Sequence, residues 1–573
     1  MDNDQAAAQQ ERAELIAIKN KPFKDRLFYY TKKSGPGWLQ AAITLGGGSL
    51  AGSLFLGVIL EYNLMWLQPL AMILGVIMLC SITYVTLSSG RRGFDAITNH
   101  ISPVLAWAWL LAASMANIVW CLPQFSLGVG AIQENLVPGL EGNAAAPWII
   151  GIILLACAAF VVRAYDTDSR GVRMFENILK GLVGVVVISF FLVVAKLTIS
   201  GSLEWGKILG GFIPNLAFLN QPAPDIARAI EATGDNAASW TNYVSSVQKD
   251  KIIAAFGTAV GINMTFLLPY SLLRKGWGRD HREMAVFDLS IGLIVPYILA
   301  TGCIVIASGS QFHASYTDIL NPDGSVKVEQ AGGFDSVASK IFGEQYGEAA
   351  NLEGDAKNAK LTEIRSGLTL EDRQLAAMLV DRKDKDLAKV LSDLAGEGVG
   401  RVVFGIGVLG MAISTIIILM LINGFCLCEA LGKSGDKKIH FYGSLIPGLI
   451  GVCFPLFWTS QSKAALAVPT SVIGFSMVPI AYFAFLLLMN SKKLLGDAAP
   501  TGASKMRWNI AMGIATSVVT FGSIWALKDR ALNGFPMGKV GIVVLIALMA
   551  IGLFGFLKHE KDHQTSGSSD SDS

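Results

Sequence analysis

Apolar runs long enough to cross a lipid bilayer recur about twelve times along this chain, and no other feature limits its fold so tightly. A span needs roughly 20 predominantly apolar residues. Such runs lie at 38–60, 64–89, 103–131, 147–163, 178–199, 252–273, 285–308, 400–428, 440–458, 466–489, 508–527 and 539–557. In hydrocarbon every backbone N–H and C=O must find its partner within the protein, so runs of this length dictate helices. Only 16% of the residues are charged, against about a quarter in soluble domains. The expected fold class is therefore an all-α polytopic membrane protein of about twelve helices. The first 36 residues are polar and basic and carry no signal-peptide pattern. All seven cysteines lie in apolar segments, without a disulfide framework or zinc spacing.

Lys and Arg bias in short loops sets orientation. Cations crowd the N-terminus (Lys19, Lys21, Lys24, Arg26, Lys32, Lys33) and recur in alternate short loops, as at Arg91 and Arg92, Arg274 to Arg282, Lys433 to Lys438, and Lys492 to Arg507. The loop 132–146 has none. Both termini are predicted cytoplasmic, in a cell (inner) membrane. The predicted organisation is a cytoplasmic segment 1–36, a first repeat 37–200 (helices 1–5) and an outer loop 201–251. A second repeat 252–490 (helices 6–10) carries an acid-rich outer loop 309–399. Helices 11 and 12 follow over 491–558, then a disordered cytoplasmic tail 559–573, which is rich in Ser and Asp from Gln564 onward.

The first and sixth segments are interrupted. Segment one contains Thr44–Leu45–Gly46–Gly47–Gly48–Ser49, and segment six contains Gly257, Gly261, Asn263, Thr265 and Pro269. Glycine weakens a helix, and non-helical backbone at bilayer depth survives where it lines a protein-enclosed site. Taken alone, Gly48 and Gly52 also read as a Gly-x-x-x-Gly packing face, and Pro269 as a simple kink. Two breaks five spans apart point instead to inverted repeats with a binding site between them.

These features, with several local motifs, resemble the Nramp family of proton-coupled divalent-metal transporters. Gly35–Pro36–Gly37–Trp38–Leu39 is similar to the family's opening before its first helix, and Trp66 to its Trp at the start of the second. Gly171–Val172–Arg173–Met174–Phe175–Glu176 resembles the entry to the fifth helix. Gly407–Val408–Leu409 and Glu429–Ala430–Leu431 resemble the start and end of the eighth. Pro479 and Ser491–Lys492–Lys493–Leu494–Leu495–Gly496 resemble the end of the tenth and its basic turn. The resemblance runs over about 35–500 and implies a secondary active transporter with a ten-helix inverted-repeat core, helices one and six discontinuous, working by alternating access.

The family's functional residues largely fail to carry over. Its first-helix Asp-Pro-Gly-Asn falls on Gly46, Gly47, Gly48 and Ser49. Its sixth-helix Met-Pro-His falls on Gly261–Ile262–Asn263, within one or two residues, so the family's thioether is missing unless Met264 takes its place. A family Gln on the eighth helix falls at Ile413, and one on the tenth at Ser471. The third helix, acidic in the family, reads Ser114–Met115–Ala116–Asn117–Ile118–Val119–Trp120–Cys121–Leu122–Pro123–Gln124.

Burying a divalent ion without a carboxylate is expensive, so no metal ligand, catalytic residue or cofactor is assigned, and selectivity is expected to differ from the family's. The expected substrate-binding residues are Gly46, Gly47, Gly48, Ser49, Gly261, Asn263, Thr265, Ser414, Thr415 and Ser471. The alternative for Ser and Thr is a bond to their own backbone. A largely hydrated cation remains compatible with neutral donors, because Mg²⁺ dehydrates reluctantly. The competing expectation is a small organic or zwitterionic solute, its carboxylate held by N–H groups at the start of the second half-helix, in a cavity enlarged by the missing His and Met. A membrane sensor that has lost transport is a lesser alternative. The expected partners are the bilayer and a small solute or cation, with no nucleic acid, and a monomer is expected. Glu61, Asp288 and Glu429 read as interfacial or structural, with Asp288 pairing Arg282.

Overall fold

The computed structural model describes residues 13–33, 35–167, 190–382, 396–458 and 462–569, with single positions between some of these stretches. The first apolar run is two helices, α1 (Pro36–Thr44) and α2 (Gly47–Leu60), bent by 48°. Then come α3 (Leu67–Ser89), α4 (Pro103–Gly130) and α5 (Ala146–Thr167). The long loop that follows holds α6 (Pro224–Ala232) and the beginning of α7 (Ala237–Gly257), which is separated by Thr258–Gly261 from α8 (Ile262–Arg274). Next are α9 (Arg282–Leu289) and α10 (Val295–Phe312), joined by a π-helical turn at Ser290–Ile294. The chain closes with α11 (Glu397–Ala430), α12 (Lys437–Val452), α13 (Ala467–Ser476), α14 (Pro479–Leu488), α15 (Gly502–Leu527) and α16 (Met537–Ser569).

Among the described residues nine helices or helix pairs are long and apolar enough to span a bilayer, and the bent α1–α2 pair makes a tenth. Of the remaining two expected spans, the fifth is described only as the apolar helix Phe190–Ile199, and the ninth, α12, is short at 16 residues. The motif Gly171–Glu176 lies outside the described residues. Ile152 and Phe160 on α5, Ile514 and Phe521 on α15, and Phe554 on α16 are each more than half exposed. An apolar surface of this kind needs a hydrocarbon solvent, and the chain is an integral membrane protein.

Two differences from the sequence reading concern boundaries. The sixth helix begins at Ala237, inside what reads as a polar loop, because Trp240 and Val244 are wholly buried against the other loop elements. Trp240 Nε1 donates to Asp372 Oδ1 at 2.7 Å. At the other end, α16 continues to Ser569, so residues 559–569, read as disordered, are helical. Glu560 anchors this extension by accepting from Ser491 Oγ at 2.7 Å.

Contacts sort the structure into two ends. At the end that carries Arg26 and the last turns of α16, Arg26 meets Glu283 at 2.9 Å, Arg282 meets Ser88 at 3.1 Å and Tyr84 donates to Ala498 O at 2.7 Å. Here Asp288 caps α1, its carboxylate accepting from Gly35 N at 3.1 Å and Gly37 N at 2.6 Å. A carboxylate suits the positive end of a helix. Its partners are these N–H groups rather than the expected Arg282. A Cβ on Gly37 would stand 2.4 Å from Asp288 O, so glycine is what lets α1 seat against α9. The opposite, distal end gathers the two long loops: Trp66 N donates to Gly211 O at 3.1 Å, and Lys251 pairs with Asp381 at 2.9 Å.

Candidate functional site

The two breaks face each other in the middle of the bundle. Leu45 and Gly46 leave helical geometry, and Gly46 is extended at φ −79°, ψ −177°. Gly261 plays the same part before α8, at φ −85°, ψ 161°. The first break thus lies at Leu45–Gly46 and the second at Thr258–Gly261, slightly before the expected Gly46–Ser49 and Gly261–Thr265. Side chains stitch the breaks together. Thr44 Oγ1 lies 3.1 Å from Ala259 O and 3.5 Å from Met264 Sδ. Ser49 Oγ donates to Thr44 O and stands 3.3 Å from Thr258 O. One serine hydroxyl therefore sits where the carbonyl ends of α1 and α7 converge, the negative poles of both half-helices.

Beside this junction is a cavity of about 40 Å³, room for about three water-sized bodies. The α1–α2 break gives it Ile43, Gly48 and Ser49. The α7–α8 break gives Thr258, Gly261, Asn263 and Met264. Trp120, Pro123 and Gln124 come from α4, Thr415 and Leu419 from α11, and Ala467 and Ser471 from α13. Gln124 and Asn263 are buried at 3% and 0% exposure. Among the described residues Gln124 Oε1, Asn263 Nδ2 and the indole Nε1 of Trp120 have no hydrogen-bond partner. A buried polar group without a partner is destabilising by about 1–3 kcal/mol. Three such groups line this one cavity.

Of the ten residues expected at a site, the structure brings six to this cavity: Gly48, Ser49, Gly261, Asn263, Thr415 and Ser471. The other four stand behind it or turn away. Gly46 makes room for Thr415, since a Cβ there would lie 2.3 Å from Thr415 Oγ1. Gly47 makes room for α4, its notional Cβ falling 2.4 Å from Leu127 and 2.7 Å from Gln124 Oε1. Thr265 points to the far side, where its Oγ1 accepts from Trp109 Nε1 at 2.9 Å. Ser414 bonds Met411 O at 2.9 Å. Thr415 bonds the same carbonyl at 2.8 Å, so its hydroxyl reaches the cavity already engaged.

The structure places Met264, which the sequence left open, and adds a contribution from α4. Met264 lines the cavity, one residue past the Gly261–Ile262–Asn263 alignment, so a thioether is present. Trp120 fills the space, packing where a Cβ on Gly261 or Gly474 would come within 2.4 Å of its ring. The α4 contribution, Trp120 and Gln124, is what sequence reasoning missed; the only local signal was a Pro-Gln pair inside an apolar helix.

Comparison with known proteins places this geometry. The sequence pattern of the natural resistance-associated macrophage protein-like (Nramp) family matches residues 37–349 and 376–527. Metal transporter Nramp3.2 of Populus trichocarpa is 28% identical over 188 residues, 32% of this chain and 34% of that protein. Metal transporter Nramp3 of Arabidopsis thaliana is 26% identical over the same shares. These alignments span about a third of the relatives' length. The crystal structure of the Eremococcus coleocola manganese transporter, in complex with an aromatic bis-isothiourea substituted compound, matches with a TM-score of 0.57 at 12% identity. That match covers 95% of this chain and 97% of that one, and it establishes the fold. With the family pattern extending from α1 to the end of α15 around two opposed helix breaks, the chain belongs to the Nramp family.

Proposed function

We propose that this chain is a secondary active transporter of a divalent metal cation, which it takes at the cavity between the two breaks with part of the ion's water shell retained. The observation that carries this is a pair of buried amides on a cavity of about 40 Å³: Gln124, whose Oε1 is free to face an ion, and Asn263, whose Nδ2 is free to donate to a retained water. That volume suits an ion and a few waters. The named relatives are metal transporters, so the organic-solute alternative is not favoured. In this reading the cytoplasmic face is the end carrying Arg26 and the last turns of α16.

The chemistry follows from the donors. Among the described residues no carboxylate lines the cavity, so nothing within it neutralises a bare divalent ion. The favourable field comes from the carbonyl ends of α1 and α7, where half-helix C-termini suit cations. An arriving ion replaces the Ser49 hydroxyl hydrogen at Thr44 O and Thr258 O. Gln124 Oε1 adds an oxygen, and the retained waters donate outward. Met264 contributes a soft sulfur that favours transition metals over Mg²⁺. Rocking of one helix bundle against the other then exposes the cavity to each face in turn.

Uptake of Mn²⁺ into proteoliposomes tests this. The native protein is expected to give saturable uptake, and Gln124→Leu to lower it at least tenfold while the purified protein stays monodisperse. Equal uptake by Gln124→Leu and native protein, or none by the native protein, contradicts the proposal.

A further inference from the structure

A second cluster stands at the distal end, outside the cavity. Glu61, Asp225 and His313 each offer a ligand atom, and the three atoms lie within 4.8 Å of one another. They come from three separate elements: Glu61 closes α2, Asp225 sits in the first turn of α6, and His313 caps the end of α10. Along α2 the cluster is about 20 Å from the helix break, at 1.5 Å per residue.

The histidine makes this more than a pair of acids. Its Nδ1 lies 2.9 Å from the carbonyl oxygen of Val58, which can accept only from an N–H. That bond fixes the proton on Nδ1 and turns the Nε2 lone pair toward the carboxylates, the orienting contact typical of metal-ligating imidazoles. The His313 side chain is 4% exposed, and Nε2 has no hydrogen-bond partner among the described residues. It stands 3.8 Å from Asp225 Oδ2. In the neutral ring a lone pair aimed at two carboxylates is repulsive, and a cation between them turns that repulsion into ligation. Arg228 engages the other oxygen, Oδ1, of Asp225 and leaves Oδ2 for that cation. Glu61 holds a backbone φ of +52°, a region that side chains other than glycine rarely adopt.

We infer that Glu61, Asp225 and His313 form a three-ligand site for a first-row divalent cation at the distal mouth. One nitrogen with two carboxylate oxygens, one carboxylate shared with Arg228, suits Mn²⁺ or Zn²⁺. Waters complete the shell on the solvent side, since Asp225 is 39% exposed. Binding there joins the long loop that carries α6 to the ends of α2 and α10. The site stands whether or not the central cavity carries an ion.

Mn²⁺ titration of the full chain in detergent, followed by pulsed EPR, tests it. The native protein is expected to bind Mn²⁺ with ¹⁴N modulation from an imidazole. His313→Gln should abolish that modulation and weaken the site at least tenfold. Asp225→Asn, a milder change on the loop, should weaken it at least threefold. Gln124→Leu should leave the ¹⁴N signal intact, which separates failure of this site from failure of the central one. Absence of ¹⁴N-coupled Mn²⁺ in the native protein overturns the inference. So does unchanged binding in a folded His313→Gln or Asp225→Asn protein.

Discussion

A single residue position decides the character of the central cavity. Where relatives are expected to carry an Asp at the first break, this chain has Gly46, and the consequence is packing rather than coordination: the Thr415 side chain lies where a Cβ would be. Ser49, three residues on, holds the carbonyl ends together with a hydroxyl in place of an ion. Met264 is then the one soft donor. Met264→Ala is expected to lower any preference for Mn²⁺ over Mg²⁺ several-fold while total uptake persists, measured as the ratio of the two initial rates. The glycines and Ser49 were legible in the sequence because glycine at bilayer depth has few explanations. Trp120 was not. What identifies it is the pair of glycines that admit its ring, Gly261 and Gly474, and they stand far apart in the chain.

At the scale of elements, α4 carries a neutral polar stripe. Ser114, Asn117, Cys121 and Gln124 recur at helical spacing on it. Ser114 Oγ donates to Asn423 Oδ1 at 2.7 Å. Neither amide atom of Asn117 has a partner among the described residues, although it is fully buried. An unpaired buried amide destabilises by about 1–3 kcal/mol, and the transport reading proposed above puts Asn117, two turns from Gln124 on the same face of α4, on the ion's path. Asn117→Leu is therefore expected to raise the melting temperature and to slow Mn²⁺ uptake, read by thermal unfolding and by flux; faster or unchanged flux would remove Asn117 from the path. Asp288 acts on another element, α1. Asp288→Ala removes its capping carboxylate and should lower stability by about 1–2 kcal/mol, measured as a fall in melting temperature. The sequence showed that Asp288 was structural but gave it the wrong partner, because a backbone N–H 251 residues away (Gly37) leaves no mark in a motif.

For the whole molecule, the membrane class and the paired breaks were legible because both follow from backbone hydrogen bonding in hydrocarbon. The long loops were not. Their order comes from tertiary contacts, such as Trp240 with Asp372 and the two bonds from Arg365 to Asp335, which hydropathy does not register. The same loops bring Asp225 to His313, so the distal cluster was invisible until the chain was folded. One comparison reaches the central claim, that a neutral cavity takes an ion with its water. Mn²⁺ uptake into proteoliposomes is measured with and without Mg²⁺ in tenfold excess. A hydrated-ion site predicts that Mg²⁺ lowers the uptake by at least half and is itself carried. Full Mn²⁺ uptake under hundredfold excess Mg²⁺ would contradict the claim, since it would require a site that strips the ion of its water.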